Sequence, residues 1–176
     1  TEDDPQAAGG GPKGMGYPSY SDVALQLLEN GYGPLPLRPG EKRPAVEGWS
    51  SLPIDEEQVD RWAAMHPKAG IGLRTGYLVA VDIDILDPGV AQELGQIVED
   101  RLGYTLMRVG RWPKRVYLFR TVTPFAKLQI GKLEILGQGQ QLVAFGIHPG
   151  TQKPYYWPSG DSPLDVPIDK LPIVDE

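Results

Sequence analysis

One run constrains this chain more than any other: Tyr77-Leu78-Val79-Ala80-Val81-Asp82-Ile83-Asp84-Ile85. Its β-branched residues favour extended backbone, and side chains alternate across a strand. Val79, Val81, Ile83 and Ile85 therefore share one face, while Ala80, Asp82 and Asp84 share the other. A carboxylate inside such an apolar strand is costly unless it is paired or bound to a metal. This run is the strongest strand signal in the sequence, and it carries two acids at i and i+2.

The rest of the chain is read around it. Ser21 is the expected cap of a helix carrying Val23, Ala24, Leu27 and Leu28 and ending at Asn30-Gly31. Tyr32 to Leu37 reads as a short strand, followed by the rigid basic turn Pro39-Gly40-Glu41-Lys42-Arg43-Pro44. Asp55 caps a second helix through Trp62 and Met65, stopped by His66-Pro67. Ala69 to Leu73 reads as a brief strand. Asp87-Pro88-Gly89 turns the chain into a helix from about Val90 to Leu102. Leu106 to Val109, Arg115 to Phe119, Lys132 to Leu136 and Gln141 to Phe145 read as further strands, the last three in the pattern of an antiparallel sheet. Helices and strands in this order predict an α+β domain with helices against a mixed sheet. Residues 1–18 read as a flexible tail, 19–157 as the domain, and 158–176 as a Pro- and Asp-rich extension or linker.

Composition narrows the classes. Glycine and proline, 22 and 18 of 176 residues, are too abundant for a helical bundle. Cysteine is absent, which removes disulfides, thiolate catalysis and Cys-based zinc sites. No apolar run approaches the ~18 residues of a membrane span and no signal peptide is visible, so a cytoplasmic protein without a membrane partner is expected. The net charge of −6 argues at first against nucleic acid. Its distribution weakens the objection, because Arg101 to Lys132 carries eight bases and no acid. A polyanion or a triphosphate suits such a segment, and so does a plain solvated basic face.

Three acids stand out as candidate metal ligands and catalytic residues. Asp82 and Asp84 point the same way, and a divalent cation relieves their repulsion. Glu134 alternates with Leu133 and Ile135 and can join them if its strand is a neighbour. Hard oxygen ligands of this kind hold Mg2+ or Mn2+ against phosphates in phosphoryl transfer. The alternative is that all three are solvated strand acids. Candidate nucleotide contacts are Lys114, Arg115, His148, Lys42, Thr75 and Gln141. Arg supplies bidentate phosphate contacts and Lys a point charge. Thr75-Gly76 offers a hydroxyl and an amide, and Gln141 an amide for a base or sugar. Arg108, Arg111 and Lys127 are candidate nucleic-acid contacts. Tyr155, Tyr156 and Trp157 offer stacking surface or core. No G-x-x-x-x-G-K-[ST] element is present, which removes a P-loop ATPase.

Taken in order, these pieces resemble the N-terminal domain of the bifunctional primase-polymerases of phages, plasmids and mobile elements, within the archaeo-eukaryotic primase superfamily. The resemblance runs from about Tyr20 to Trp157 and rests on Gly31 to Leu37, Pro39 to Pro44, Gly48-Trp49, Trp62, Gly70 to Gly76, Val79 to Asp84, Lys132 to Gly137, Gln140 to His148 and Tyr155 to Trp157. It implies an RRM-like catalytic core with an N-terminal accessory α/β unit. It implies DNA-templated polymerisation of nucleoside triphosphates, with primer-template DNA as partner and a helicase domain downstream in the full protein. By position, Asp82 and Asp84 match the family's first metal motif and Glu134 its third. The second motif usually carries a histidine that grips the incoming nucleotide. Here Gly110 to Arg120 contains none, and Lys114 or Arg115 is expected in its place, with a lean to Arg115 for its bidentate reach. Two other classes stay open on these residues: a replication-initiator module that binds DNA without turnover, and a metal-dependent nuclease.

Overall fold

The computed structural model describes residues 3–6 and 16–176. Most of the stretch read as an N-terminal tail, residues 1–2 and 7–15, lies outside the described residues. In chain order the elements are α1 (Tyr20–Glu29), β1 (Pro34–Pro36), α2 (Glu56–Met65), β2 (Ile71–Arg74), β3 (Leu78–Ile83), α3 (Pro88–Leu102), β4 (Met107–Arg108), β5 (Arg115–Arg120), β6 (Leu128–Ile130), β7 (Leu133–Leu136) and β8 (Gln141–Phe145). A single 3-10 turn, Ile168–Lys170, follows.

The strands form two sheets, and the chain is an α+β domain as expected. A five-stranded sheet runs β4-β5-β3-β7-β6, and a three-stranded sheet runs β1-β2-β8. Every ladder between named strands is antiparallel rather than mixed. β3 and β4 run in the same direction, but β5 lies between them, so α3 bridges a split β-α-β unit. The strands around β5, β7 and β8 do not form one meander. β5 and β7 flank β3 on either side, and β8 leaves for the small sheet. The crossing is made at Gly137, where an added Cβ would lie 2.0 Å from the Phe125 carbonyl oxygen.

Alternation along β3 explains the layering. Val79, Val81 and Ile83 are buried with Ala91 and Val98 of α3 and with Tyr117 and Phe119 of β5. Each such side chain contributes about 1.5–3 kcal/mol when fully buried. Leu78 and Ala80 face the other way, against α1, α2 and the small sheet through Leu27, Leu35, Trp62, Ile71 and Leu142. The large sheet is thus covered on both faces, until the accessory layer ends at Asp82 and Asp84.

Several boundaries differ from expectation for local reasons. The α1 cap is Ser19, not Ser21, because the Asp22 carboxylate reaches back to the Ser19 amide at 3.2 Å and its hydroxyl at 2.7 Å. α3 begins at Pro88, since proline suits the first turn and Asp87 accepts from the Val90 amide at 3.1 Å. β6 was not expected at all: three exposed residues give too short a pattern to read.

Residues 158–176 are not a linker but part of the domain. Leu171 and Val174 are buried. The Tyr32 hydroxyl donates to the Val166 carbonyl at 2.6 Å, and the amides of Arg120 and Val174 bond to Pro172 and Arg120 carbonyls at 3.0 and 2.8 Å. The frequent prolines prevent a regular ladder, which hid this packing from the sequence pattern.

Candidate active site

The antiparallel register sets Asp82 directly opposite Glu134 on β7 and opposite Val116 on β5. Facing residues in such a pair have Cβ atoms about 4.5–5.5 Å apart. Asp84 lies just past β3, on the same side by parity, with its amide bonded to the Lys132 carbonyl at 3.0 Å. Burial, the first cause, raises the Asp82 carboxyl above its ordinary value. Arg108 opposes the shift, Asp84 and Glu134 reinforce it, and Lys42 opposes it. Three anionic groups therefore act on one another at the rim of the accessory layer.

They do not converge on one point. Asp84 pairs with Lys114 at 2.7 Å and Glu134 with Lys127 at 3.4 Å. The Lys114 hydrogen bond is the main reason the Asp84 carboxyl lies below its usual value. Among the described residues no three His, Asp or Glu side chains are arranged to hold a metal ion. The register gives a facing couple, Asp82 and Glu134, with Asp84 beside it and lysines on both outer carboxylates. By donor chemistry the set still suits a hard divalent cation: oxygen ligands on one face, with mutual repulsion to relieve.

Cations gather on the β5 and β4 side of this couple. Arg108 of β4 crosses between the sheets, donating from Nη1 to the Val143 carbonyl of β8 at 2.5 Å. Its guanidinium lies 4.7 Å above the Tyr155 ring, and its Nε is buried without a hydrogen-bond partner. Arg108 is half-buried, its guanidinium directed to the Val143 carbonyl and the Tyr155 ring, and it is the cation that most opposes the rise of the Asp82 carboxyl. Lys42 overhangs the cleft. Burial, then the like charges of Arg108 and Lys114, lower its affinity for a proton, while Asp82 and Asp84 raise it.

His148 stands against Tyr155, ring centroids 5.3 Å apart. Its Nδ1 accepts from the amides of Gly150 and Thr151 at 3.0 and 3.2 Å, which places the neutral ring's proton on Nε2. Burial, followed by the charges of Lys42, Arg108, Arg111 and Lys114, lowers its pKa to about 4. The imidazole is thus a neutral donor at pH 7. Gly110 makes the packing feasible: a Cβ there would meet Tyr155 Cε1 at 2.5 Å and His148 Cδ2 at 2.9 Å. The structure therefore brings together Asp82, Asp84, Glu134, Lys114, Lys42, Arg108, Arg111 and His148.

Three expected contacts lie elsewhere. Arg115 pairs in register with Ile83, so its side chain is on the α3 face, buried, stacked 4.8 Å over Trp112 and donating to the Pro113 carbonyl at 3.0 Å. The lean to Arg115 is corrected in favour of Lys114, which has the opposite parity. Thr75 is at the other end of β3 and donates its hydroxyl to the Gly137 carbonyl at 2.5 Å. It lines a separate cavity of about 580 Å³ with Tyr32, Arg74 and Gly139. Gln141 acts indirectly: its Nε2 holds the Lys42 carbonyl at 2.8 Å and so fixes the basic turn. Sequence reasoning missed Gln129 of β6, which is the register partner of Glu134. Tyr155, read as stacking surface or core, is the platform for both Arg108 and His148.

Fold and site together define a sheet-based domain with an acidic row facing a cluster of cations. Comparison with family profiles matches residues 24–173 to the N-terminal domain of bifunctional DNA primase/polymerases. The chain belongs to that family, whose members carry out DNA priming and polymerisation. The match includes the C-terminal stretch to residue 173 that packs into the fold. No curated protein matches the chain. No helix among the described residues is long and apolar enough to cross a membrane.

Proposed function

We propose that this domain is a metal-dependent, template-directed nucleotidyltransferase that extends DNA from nucleoside triphosphates during replication of a phage, plasmid or other mobile element. The observation that carries the reading is the register pairing of Asp82 with Glu134, faced by Lys42, Arg108, Arg111, Lys114 and a neutral His148. Asp82, Asp84 and Glu134 are the residues that would hold Mg2+ or Mn2+, which supplies charge neutralisation at the phosphates.

The protein's own groups do the rest by position and charge. Lys114 exchanges its carboxylate partner, Asp84, for an oxygen of the triphosphate, which takes the place of the absent second-motif histidine. His148 donates from Nε2 to a phosphate oxygen, its ring held by two backbone amides. Arg108 stays between the sheets and favours the ionised form of Asp82, opposing the burial that raises its carboxyl. No general base is evident in the cleft, so orientation and electrostatics carry the rate.

Primer extension on a recessed-end DNA template, with Mg2+ or Mn2+, tests this reading. Extension by the parent protein, lost in Asp82→Asn and Glu134→Gln, is the expected result. Product shortening would identify a nuclease instead. Retained DNA binding with no metal-dependent product would identify an initiator module, the reading favoured by the lysines that already neutralise Asp84 and Glu134.

A further inference from the structure

The two sides of the acidic row differ, and phosphoryl transfer gives that difference a direction. On the β5 and β4 side stand Lys114 and Arg108, with Lys42, Arg111 and His148 in the adjoining loops. On the other side the row continues across β7 into β6: Asp82 faces Glu134, and Glu134 faces Gln129. Gln129 therefore shares the face of the acids, and its amide nitrogen holds the Gly131 carbonyl at 3.1 Å. Lys127, two residues earlier in the chain, reaches Glu134 at 3.4 Å. Lys132 follows the hairpin turn, its carbonyl bonded to the Asp84 amide at 3.0 Å. All three side chains are exposed.

In phosphoryl transfer the attacking and leaving oxygens lie roughly in line on opposite sides of the phosphorus. The side with five nitrogen-bearing groups is the one suited to a departing pyrophosphate. The attacking hydroxyl then belongs on the opposite side. We propose that the β6–β7 hairpin, through Lys127, Gln129 and Lys132, carries the 3′ end of the growing DNA strand. This rests on the nucleotidyltransferase reading and adds to it a strand, a side and three residues. The 3′ oxygen forms a bond to the α-phosphorus as the bond to the α,β-bridging oxygen breaks. Pyrophosphate leaves with that electron pair, and the hydroxyl proton passes to solvent. Lys127 and Lys132 supply the charge for the last phosphates of the strand, and Gln129 a neutral amide between them.

The test uses the full chain and a DNA hairpin with a recessed 3′ end. A photoreactive thymidine analogue at that 3′ end is expected to cross-link to residues 126–134. In fluorescence anisotropy without divalent metal, the double variant Gln129→Ala/Lys132→Ala should raise the Kd for this DNA about 5- to 20-fold and lower the salt slope by about one. Binding of a fluorescent nonhydrolysable nucleoside triphosphate should stay within about twofold of the parent, whereas Arg111→Ala should weaken it. Both hairpin positions are exposed, so the variant should melt with the parent. A parent that extends primers while its cross-link falls on residues 108–115 or 148–156 overturns the proposed side and leaves the nucleotidyltransferase reading standing. So does a double variant with unchanged DNA affinity. A parent that neither extends primers nor binds recessed ends overturns both.

Discussion

Replacing Arg108 with methionine removes a half-buried cation of similar length while retaining its packing. Three terms decide the outcome. The bond from Nη1 to the Val143 carbonyl, 2.5 Å long, is charge-assisted and worth about 1.5–3 kcal/mol. Stacking on the Tyr155 ring at 4.7 Å adds about 0.5–2 kcal/mol. Against these, the variant no longer buries an unpartnered Nε, a relief of about 1–3 kcal/mol. Taken at their midpoints these terms leave a net loss of about 1.5 kcal/mol, or roughly 3–6 °C in Tm for a chain of this length. Asp82 also loses its strongest attractive partner while still facing Asp84 and Glu134, so its carboxyl rises further. A carboxyl whose folded pKa exceeds its unfolded value costs stability when ionised, and the cost fades as pH falls through the folded value. The Tm deficit of Arg108→Met should therefore be larger at pH 7 than near pH 5. Adding Asp82→Asn should recover about 0.5–2 kcal/mol of it. Thermal and urea denaturation of the four proteins of the cycle at two pH values measure all of this. A variant that melts within about 1 °C of the parent at both pH values, or strict additivity with Asp82→Asn, would refute the argument.

Four further outcomes follow from the site and its support. Lys114→Ala should raise the apparent KM for nucleoside triphosphate or lower kcat, about tenfold in kcat/KM, while stability changes by under ~1 kcal/mol, because its pair with Asp84 is half-exposed. Arg115→Ala should do the reverse, lowering Tm by several degrees through lost packing on Trp112. His148 should titrate by NMR with a midpoint near 4. Its folded pKa is below the unfolded value of about 6.5, so its contribution to stability is full above that value and declines as pH falls toward 4; a midpoint above 6 would show that neither burial nor the cation cluster acts on it as described. Leu171→Ala should cost about 2–4 kcal/mol in urea denaturation, since the side chain is buried in the main core; an unchanged midpoint would mean that the C-terminal stretch does not pack.

The alternating run from Tyr77 to Ile85 was legible because a strand with branched residues on one face has few other uses. The same parity set Glu134 apart from Leu133 and Ile135, but only the register could show that its strand lies beside β3 and that Asp82 and Glu134 are direct partners. Parity also separated Lys114 from Arg115 without saying which faces the cleft. That depended on α3 covering the Ile83 face, a long-range fact. Thr75 was misplaced because a hydroxyl beside glycine reads the same at either end of a strand. Gln141 sits near the site but spends its amide on the Lys42 turn. The lysines on Asp84 and Glu134 were in view as basic residues, yet their pairing depends on side-chain direction across strands, which composition does not carry. The C-terminal stretch failed for another reason: proline-rich extended chain has neither period by which packing is recognised.

The placement of β8 has a consequence for how the protein is made. Gly72 of β2 pairs with Val143 of β8, so the small sheet waits for a strand synthesised much later. At about 5–20 residues per second, a ribosome emits β2 several seconds before its partner. During that interval Ile71 and Leu73 have no sheet to close over them, and the carbonyl that anchors Arg108 does not yet exist. A nascent chain therefore has Arg108 without its anchor and lacks His148 and Tyr155, however well β3 and α3 have formed. The cleft beside Asp82 is completed late, which makes the domain poorly suited to splitting into two independently folding halves.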